Sequence, residues 1–210
     1  MSDKQIEVEF IGAINKGKFL ELRNLFEKSG KFKKNKERLS FMYFRDKIPK
    51  DLVEIKDEPV DLRFRVTNKK PEIVLKYGTF SGSHARKEIS IDIKNEDIEK
   101  YIEFLSLLGW NIGVIYATRT FVCEYKEIEF SLIEIKDYGY NLEAEILTNK
   151  DKVEEAKKNI MAELNALTIK PFDERGLNKQ CNTINNKKEL QFDLSKQPFN
   201  ELKNRFKEFF

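Results

Sequence analysis

Long hydrophobic runs and cysteine pairs are missing from this sequence. No stretch of about 18 apolar residues occurs, so the sequence predicts no membrane-spanning helix. Residues 1–9 are polar and acidic, and they lack the apolar core that is typical of a signal peptide. The only two cysteines, Cys123 and Cys181, are too far apart for a metal-binding motif. We therefore expect a cytoplasmic protein with reduced thiols and no membrane partner.

A strong excess of one charge is also missing. Lys and Arg together number 39 and Asp and Glu 36, so the formal net charge is only +3. A protein that binds nucleic acid through its overall electrostatic field needs a larger basic excess. We therefore expect a phosphorylated small molecule as the partner and no nucleic acid. An RNA 5′-triphosphate stays open as a ligand, and a homodimer stays open as the oligomeric state.

Paired charges of one sign are what the sequence does contain. Three strand-like segments each place two such charges two residues apart: Arg63 and Arg65, Glu143 and Glu145, and Glu7 and Glu9. Side chains two residues apart point to the same face of a strand. A sheet face of this kind is costly to bury unless it surrounds something charged. A metal-bound polyphosphate meets that requirement, so the pattern favours a phosphate-handling enzyme.

Hydrophobic periodicity predicts eight strands and three main helices. The strands are expected at 6–10, 38–45, 61–67, 72–77, 85–93, 112–125, 128–135 and 140–148. The helices are expected at 16–28, 95–108 and 151–164, with Asn95 as an N-cap and with Gly30 and Gly109 at their C-terminal ends. Residues 31–36 are expected to form a basic, solvated connection, and residues 48–59 a loop.

This order of elements predicts an α+β protein built on an eight-stranded antiparallel β-barrel, or tunnel, with helices packed outside. The tunnel domain is expected to cover residues 1–170. Residues 171–210 are expected to form a C-terminal tail that packs on the barrel. Within it, 172–191 is expected to be irregular and 199–209 to form a short helix, whereas Trp110 is expected in the core.

The charged motifs, taken in order, resemble the CYTH superfamily, also called the triphosphate tunnel metalloenzymes. The segments that carry the resemblance are Glu7-Val8-Glu9-Phe10-Ile11, Arg63-Phe64-Arg65, Val74-Leu75-Lys76, Arg86-Lys87-Glu88, Arg119, and Gly139 followed by Glu143-Ala144-Glu145. The family shows a Glu-x-Glu-x-Lys strand first and a Glu-x-Glu strand last, with the basic strands between them. The resemblance covers about residues 5–165. Two positions depart from the family pattern, because Ile11 replaces its lysine and Ile133 or Glu134 its aspartate.

The resemblance implies a divalent metal, Mg²⁺ or Mn²⁺, on the carboxylates and a triphosphate held by arginine and lysine. The metal ligands would be Glu7, Glu9, Glu88, Glu143 and Glu145. The substrate-binding residues would be Arg63, Arg65, Lys76, Arg86 and Arg119. The residues with a catalytic role would be Glu7, Glu9, Lys76 and Arg86.

Three functions stay open on the sequence. The first is metal-dependent hydrolysis of a triphosphate-bearing substrate, such as tripolyphosphate, a nucleoside triphosphate or thiamine triphosphate. The second is a class IV-type adenylate cyclase that makes cyclic AMP from ATP. The third is a non-catalytic module that binds phosphorylated ligands, as Ile11 and Ile133 would permit. The charged residues could instead form structural salt bridges, and His84, the single histidine, is either a general acid or an exposed loop residue.

Overall fold

The computed structural model describes residues 6–50, 60–77 and 87–210, which form helices and an antiparallel sheet. The described strands are β1 (Ile6–Ile14), β2 (Lys31–Phe44), β3 (Val60–Thr67), β4 (Lys70–Tyr77), β5 (Lys87–Asp92), β6 (Ile112–Tyr125), β7 (Ile128–Ile135), β8 (Gly139–Thr148) and β9 (Gln191–Asp193). The described helices are α1 (Lys16–Ser29), α2 (Ile98–Leu107), α3 (Val153–Ala166), α4 (Glu174–Asn185) and α5 (Phe199–Arg205). The strands pair in the order β1-β8-β7-β6-β2-β3-β4-β5, and β9 pairs with β6. The predicted α+β class is therefore confirmed.

The chain divides into two compact units. The first unit contains the described residues of Met1–Lys36 and Thr118–Arg175. The second contains the described residues of Glu37–Phe80, Arg86–Ala117 and Gly176–Phe210. In the described ranges, every helix is too short or too polar to cross a membrane.

The first unit packs α1 and α3 against one face of its strands. Asn15 begins α1 by accepting a hydrogen bond from the backbone N–H of Lys18 at 2.8 Å, which satisfies one of the free donors at the helix start. The apolar stripe predicted for α1 buries Leu22 and Phe26. These side chains share a core with apolar residues of the other elements: Val8, Phe130, Leu132, Leu142, Ile160 and Leu164. Because strand side chains alternate, the opposite face of the same strands is left for polar residues.

The second unit packs α2 and the C-terminal segment against β2, β3 and β4. Its core contains Leu39, Phe41, Leu62, Phe64, Ile98, Ile102, Trp110, Phe192, Leu202 and Phe206. Trp110 is buried, as predicted. Phe192 of β9 lies opposite Gly113 of β6, where an added Cβ would come within 2.6 Å of the Phe192 ring. The added Cβ would come closer still, 2.0 Å, to the Met42 backbone oxygen of β2, so glycine is required at 113 for both β2 and β9 to approach β6 there.

Most of the predicted strands are confirmed, and β6 and β7 agree with the prediction at both ends. Three local predictions are wrong. Residues 31–36 belong to β2 and do not form a connection, and the Phe32 ring packs at a tilt against Phe121 with 5.5 Å between ring centroids. Residues 172–191 contain α4, whose Asn185 side chain donates to the Pro49 carbonyl oxygen at 2.8 Å. Asn95 opens a 3₁₀ turn, and α2 begins only at Ile98.

The closed eight-stranded barrel is not established by the strand pairing. Within the described residues, no ladder joins β5 to β1, and the sheet has a ninth strand, β9. Closure into a tunnel therefore stays a prediction. The predicted boundary near residue 170 stays a prediction as well, although β9 and α5 beyond it supply core side chains to the second unit.

Candidate functional site: a glutamate face and an arginine face

Carboxylates line the face of the first unit that is turned away from α1 and α3. The strand register pairs Glu9 with Glu145, Glu145 with Glu129, and Glu129 with Glu124. Four neighbouring strands thus place one glutamate each in a single cross-strand row. Glu7 and Glu143 lie on the same face by alternation, since each is two residues from a member of the row. We refer to Glu7, Glu9, Glu124, Glu129, Glu143 and Glu145 as the glutamate face.

The charges of this face are only partly compensated. Burial, followed by repulsion from Glu7, Glu129 and Glu9, raises the pKa of Glu145 to about 7. At one end of the row, the Lys33 ammonium lies 2.9 Å from a Glu124 oxygen and 3.4 Å from a Glu129 oxygen. The hydrogen bond with Lys33 lowers the pKa of Glu124. Lys33 therefore compensates the Glu124 end of the row, whereas burial and the neighbouring carboxylates dominate at Glu145.

The donor set fits a hard divalent cation, because carboxylate oxygens are the ligands that Mg²⁺ and Mn²⁺ prefer. The raised pKa of Glu145, caused by burial and then by neighbouring carboxylates, fits too, since a nearby cation would stabilise the charged form. Within the described ranges, however, no group of three or more Asp, Glu, His or Cys side chains converges closely enough to hold a metal ion. Metal binding on this face would therefore require side-chain rotation, which the three side-chain torsions of glutamate allow.

Basic residues line the face of the second unit's strands that is opposite its apolar core. The register pairs Ser40 with Arg65, Arg65 with Glu72, and Asp61 with Lys76, which is itself paired with Glu88. Arg38 and Arg63 lie on the same face by alternation along β2 and β3. Leu62, Phe64 and Val66 occupy the other face, in the core. We refer to Arg38, Arg63, Arg65 and Lys76, with Asp61 and Glu88, as the arginine face.

Arg63 is held by partners inside the unit. Its Nε and Nη2 donate to the two carboxylate oxygens of Asp61 at 2.7 and 2.6 Å. Its Nη1 donates to the Tyr116 hydroxyl at 3.2 Å. Burial acts to lower the pKa of Arg63, but Tyr116 and Asp61 outweigh it and raise the pKa above its ordinary value. This guanidinium is therefore fixed in orientation as well as in charge.

Arg65 is less well satisfied. The residue is only 6% exposed, and its nearest ion pair, to Glu88, spans 3.7 Å. Its buried Nε has no hydrogen-bond partner in the part of the chain that the structure describes. Burial, with repulsion from Arg63 and Arg38, lowers the pKa of Arg65. A buried donor without an acceptor, surrounded by like charges, fits an anionic ligand.

Glu88, one of the predicted metal ligands, belongs to the arginine face. One of its oxygens accepts a hydrogen bond from Lys76 at 2.8 Å, and the other faces Arg65. Burial acts to raise the pKa of Glu88, but Lys76 and Arg65 outweigh it and lower the pKa. Glu88 therefore neutralises and orients basic side chains here.

The structure does not bring Arg119 to the glutamate face. Arg119 is opposite Glu134, and alternation along β6 places it with Phe121 and Cys123. Arg86 and His84 lie outside the described residues. The other predicted site residues divide between the two faces: Glu7, Glu9, Glu143 and Glu145 on the first, and Arg63, Arg65, Lys76 and Glu88 on the second.

Sequence reasoning missed Glu124 and Glu129, although a signal for them was present. The two-residue turn at Lys126 and Glu127 has positive φ at both positions, as two-residue hairpin turns of type I′ do. Such a turn fixes the register by itself, and it pairs Glu124 with Glu129. Tyr116, Asp61 and Lys33 were also missed, and the contacts of Tyr116 and Lys33 depend on strands that are distant in sequence.

No protein-family model matches the chain, and no curated protein is similar to it in sequence. Solved structures do share its fold. A protein from Pyrococcus horikoshii OT3 is 24% identical, with a TM-score of 0.61 over 80% of this chain and 94% of its own. A candidate adenylate cyclase from Vibrio parahaemolyticus is 14% identical, with a TM-score of 0.58 over 80% of this chain and 94% of its own.

An adenylyl cyclase candidate from Hippeastrum, HpAC1, is described with a dominant triphosphatase activity. It is 14% identical, with a TM-score of 0.55 over 80% of this chain and 89% of its own. Identities at this level support a shared fold only. They agree with the resemblance found in the sequence motifs, which rests on separate observations. The chain therefore shares its fold with these solved structures, among them proteins described as adenylate cyclase candidates.

Proposed function

We propose that this protein is a divalent-metal-dependent hydrolase of a triphosphate-bearing substrate. In this proposal the arginine face binds the phosphate groups, and the glutamate face binds Mg²⁺ or Mn²⁺. The closed, eight-stranded tunnel and a cytoplasmic location belong to the same proposal. Its substrate class is a tripolyphosphate chain, alone or attached to an organic group.

The observation that carries the proposal is the environment of Arg65. A buried guanidinium with a free Nε, repelled by Arg63 and Arg38, is costly in the absence of a ligand. A phosphate oxygen would accept from Nε and would compensate all three arginines. Arg63, fixed by Asp61 and Tyr116, and Lys76, fixed by Glu88, would supply further positive charge without reorganising.

Glu7, Glu9, Glu143 and Glu145 are the residues that would hold the metal. The bound cation would neutralise phosphate oxygens and lower the pKa of water. Glu145, with its pKa near 7, would lose its proton readily when a cation approaches. In this proposal the arginine face thus calls for an anion and the glutamate face for a divalent cation.

The test is a substrate panel measured with Mg²⁺, with Mn²⁺ and with EDTA, in which every product is identified. We expect phosphate release from tripolyphosphate or a nucleoside triphosphate, abolished by EDTA. Tripolyphosphate should also raise the melting temperature of the apoprotein, because it binds only the folded state. The absence of turnover across the panel would reject the hydrolase, and a thermal shift without turnover would favour the non-catalytic binding module instead.

A second candidate is an adenylate cyclase, favoured by the Vibrio parahaemolyticus protein that shares the fold. The same panel separates the two reactions. A cyclase converts ATP to cyclic AMP and pyrophosphate, and it cannot act on tripolyphosphate. Phosphate release from tripolyphosphate would therefore favour hydrolysis, whereas cyclic AMP from ATP alone would favour the cyclase.

A further inference from the structure

The strands that carry the glutamate face are uncharged at one end. Their register gives two further cross-strand rows on the same face, beyond the row of four glutamates. The nearer row contains Ile11, Glu143, Ser131 and Val122, and the farther row contains Ala13, Asn141, Ile133 and Thr120. Charge therefore falls along the strands from four carboxylates to one and then to none, over the roughly 13 Å that four strand residues span. We refer to Ala13, Asn141, Ile133 and Thr120 as the uncharged row.

Both departures from the family pattern lie at this end of the face. Ile133 is the cross-strand neighbour of Asn141, and Ile11 belongs to the row that precedes the uncharged row. Strand alternation turns both isoleucines away from the core, in which Phe10 and Leu132 of the same strands pack. The two positions where the family has a lysine and an aspartate therefore add apolar surface here.

Asn141 is a buried polar residue without a full set of partners. It is only 6% exposed, and its Oδ1 has no hydrogen-bond partner in the part of the chain that the structure describes. A buried amide oxygen without a donor costs free energy unless a ligand or water supplies one. The surface around it is accessible, because Ala13 is exposed and Ile133 is partly exposed. The last torsion of asparagine is soft, so the amide can turn Oδ1 towards that surface.

The chemistry of the uncharged row fits a flat, uncharged organic group. Ala13 and Ile133 offer apolar contact, and the Asn141 amide offers an acceptor and donors in one plane. Such an amide pairs with an amino group that lies beside a ring nitrogen, as asparagine does with adenine. Cytosine and the aminopyrimidine of thiamine carry the same two groups. A second divalent cation fits less well, since this row offers it no carboxylate.

We propose that the uncharged row binds the heterocyclic base of a triphosphate-bearing substrate, and that Asn141 determines specificity by pairing with an amino group and the adjacent ring nitrogen. This inference rests on the proposed function, in which the metal-bound phosphates lie at the row of four glutamates. The four residues between Glu145 and Asn141 along β8 leave space there for the sugar or linker that joins the phosphates to the base.

The test is isothermal titration calorimetry in EDTA, which measures binding without turnover. The Kd of Asn141→Leu is compared with that of the unmodified protein for tripolyphosphate, ATP, CTP, thiamine triphosphate and purine riboside triphosphate, in which hydrogen replaces the amino group of adenine. We expect the variant to weaken at least one amino-bearing ligand by about three- to tenfold, as the loss of a hydrogen bond does. Tripolyphosphate should be unaffected, and purine riboside triphosphate should be weakened less than ATP.

Asn149→Leu is the matched control. Asn149 is exposed directly after β8, and its side chain makes no capping hydrogen bond, so every affinity should stay unchanged. Thermal melts establish that the variants are folded. Asn141→Leu should melt at the same temperature as the unmodified protein or higher, because it removes an unpaired buried oxygen. If it does not fold, Asn141→Ala replaces it.

Two kinds of failure are distinguishable in these titrations. Tripolyphosphate binding to the unmodified protein, combined with unchanged affinities of Asn141→Leu for all three amino-bearing ligands, would overturn this inference alone. An equal weakening of tripolyphosphate would overturn it too, since Asn141 would then act on the phosphates or on the fold. If tripolyphosphate does not bind to the unmodified protein, the proposed function fails, and this inference fails with it.

Discussion

The glutamate face and the arginine face are built in the same way but compensated differently. Each is the polar side of strands whose other side packs in an apolar core, so alternation alone separates charge from core in both units. On the arginine face, Asp61 and Glu88 neutralise basic side chains at short range. On the glutamate face, Lys33 compensates one end of the row, while Glu145 remains among carboxylates.

On each face, one residue has its charged form destabilised by burial and by neighbours of the same charge. Arg65 has a free donor and a lowered pKa among basic neighbours, and Glu145 has a pKa near 7 among acidic ones. Natural proteins accept such costs mainly where a ligand offsets them. We therefore expect a bound anion to act chiefly on Arg65, and a bound cation to act on several glutamates around Glu145.

Arg65→Met should produce the largest effect, on activity. Losing a preorganised guanidinium at a phosphate site should lower kcat/KM by about 10²–10³-fold, or about 3–4 kcal/mol. The melting temperature of the apoprotein should stay equal or rise, because the variant removes a poorly compensated buried charge. Phosphate release and thermal melts, with and without tripolyphosphate, measure the two quantities.

Arg119→Met is the matched control. It also removes an arginine, but from the face of β6 that is opposite the glutamate face. Its kcat/KM should stay within about threefold of the original protein, as expected for a surface substitution. Equal losses in both variants would show that the division of arginines by strand face has no functional meaning. A large drop in stability for Arg65→Met would show instead that Arg65 is mainly structural.

Glu145→Gln should produce the next largest effect, on the pH dependence of stability. The pKa of Glu145 is raised from 4.5 to about 7, so this group favours the folded state below pH 4.5, and that contribution is lost as the pH rises to 7. The glutamine variant cannot titrate. In EDTA at pH 8 it should therefore be more stable by about 1 kcal/mol, or roughly 2–4 °C, allowing for partial solvent exposure.

Thermal melts in EDTA between pH 5 and 8 test this expectation. The advantage of Glu145→Gln should disappear near pH 5 and should reverse at pH 8 when Mg²⁺ or Mn²⁺ is added, because the cation stabilises the carboxylate protein preferentially. Glu155→Gln, at an exposed position of α3, is the control for a simple loss of negative charge. If the melting temperatures of both variants change with pH in the same way, the raised pKa of Glu145 does not explain the effect.

A feature of the two faces can be predicted from the sequence when the residues that form it are close together along the chain. Strict alternation and a two-residue turn were enough to predict β6 and β7, and they determine the pairing of Glu124 with Glu129. Arg63 and Arg65 were likewise visible as a pair on one face. In each case the information is local, because the strand period and the turn geometry operate over a few residues.

The wrong predictions concern segments that are stabilised by distant residues. Lysine-rich residues 31–36 have little strand propensity, and they form part of β2 because Phe121 and Glu124 lie beside them. The contact of Arg65 with Glu88 requires the register of β5 against β4, which no short turn motif predicts. Sequence patterns therefore predicted which side chains share a strand face, but not which charges compensate one another.

Glu88→Gln tests the internal compensation of the arginine face, and its effect should be smaller. The pKa of Glu88 is lowered, so its carboxylate stabilises the fold above the ordinary pKa of 4.5 and ceases to do so as the pH falls below it. Because the side chain is 42% exposed, the loss at pH 7 should be about 1 kcal/mol or less. The difference in melting temperature should shrink as the pH falls below 4.5 and through the lowered pKa of the folded state.

The same variant should bind tripolyphosphate a few-fold more tightly, because Arg65 and Lys76 lose a competing carboxylate. Isothermal titration calorimetry of the apoprotein measures this affinity without turnover. Glu103→Gln on α2 is the control, and it should change neither quantity. Weaker anion binding by Glu88→Gln would indicate that Glu88 chiefly positions the basic side chains and does not compete for them.

Lys33→Met should have the smallest effect, and it would make the two faces less alike. Lys33 bridges Glu124 and Glu129, but its side chain is 36% exposed. Its removal should cost about 0.5 kcal/mol, or roughly 1–2 °C in EDTA at pH 8, because Glu124 and Glu129 then lose their shared ion-pair partner. Added Mg²⁺ or Mn²⁺ should restore the lost stability, since a metal replaces the missing positive charge.

Lys34→Met, at the adjacent exposed position, separates this local role from a general loss of basic charge. Equal melting temperatures for Lys33→Met and the unmodified protein would mean that the Lys33 ion pairs are screened by solvent, and that the glutamate face has no effective internal counter-charge.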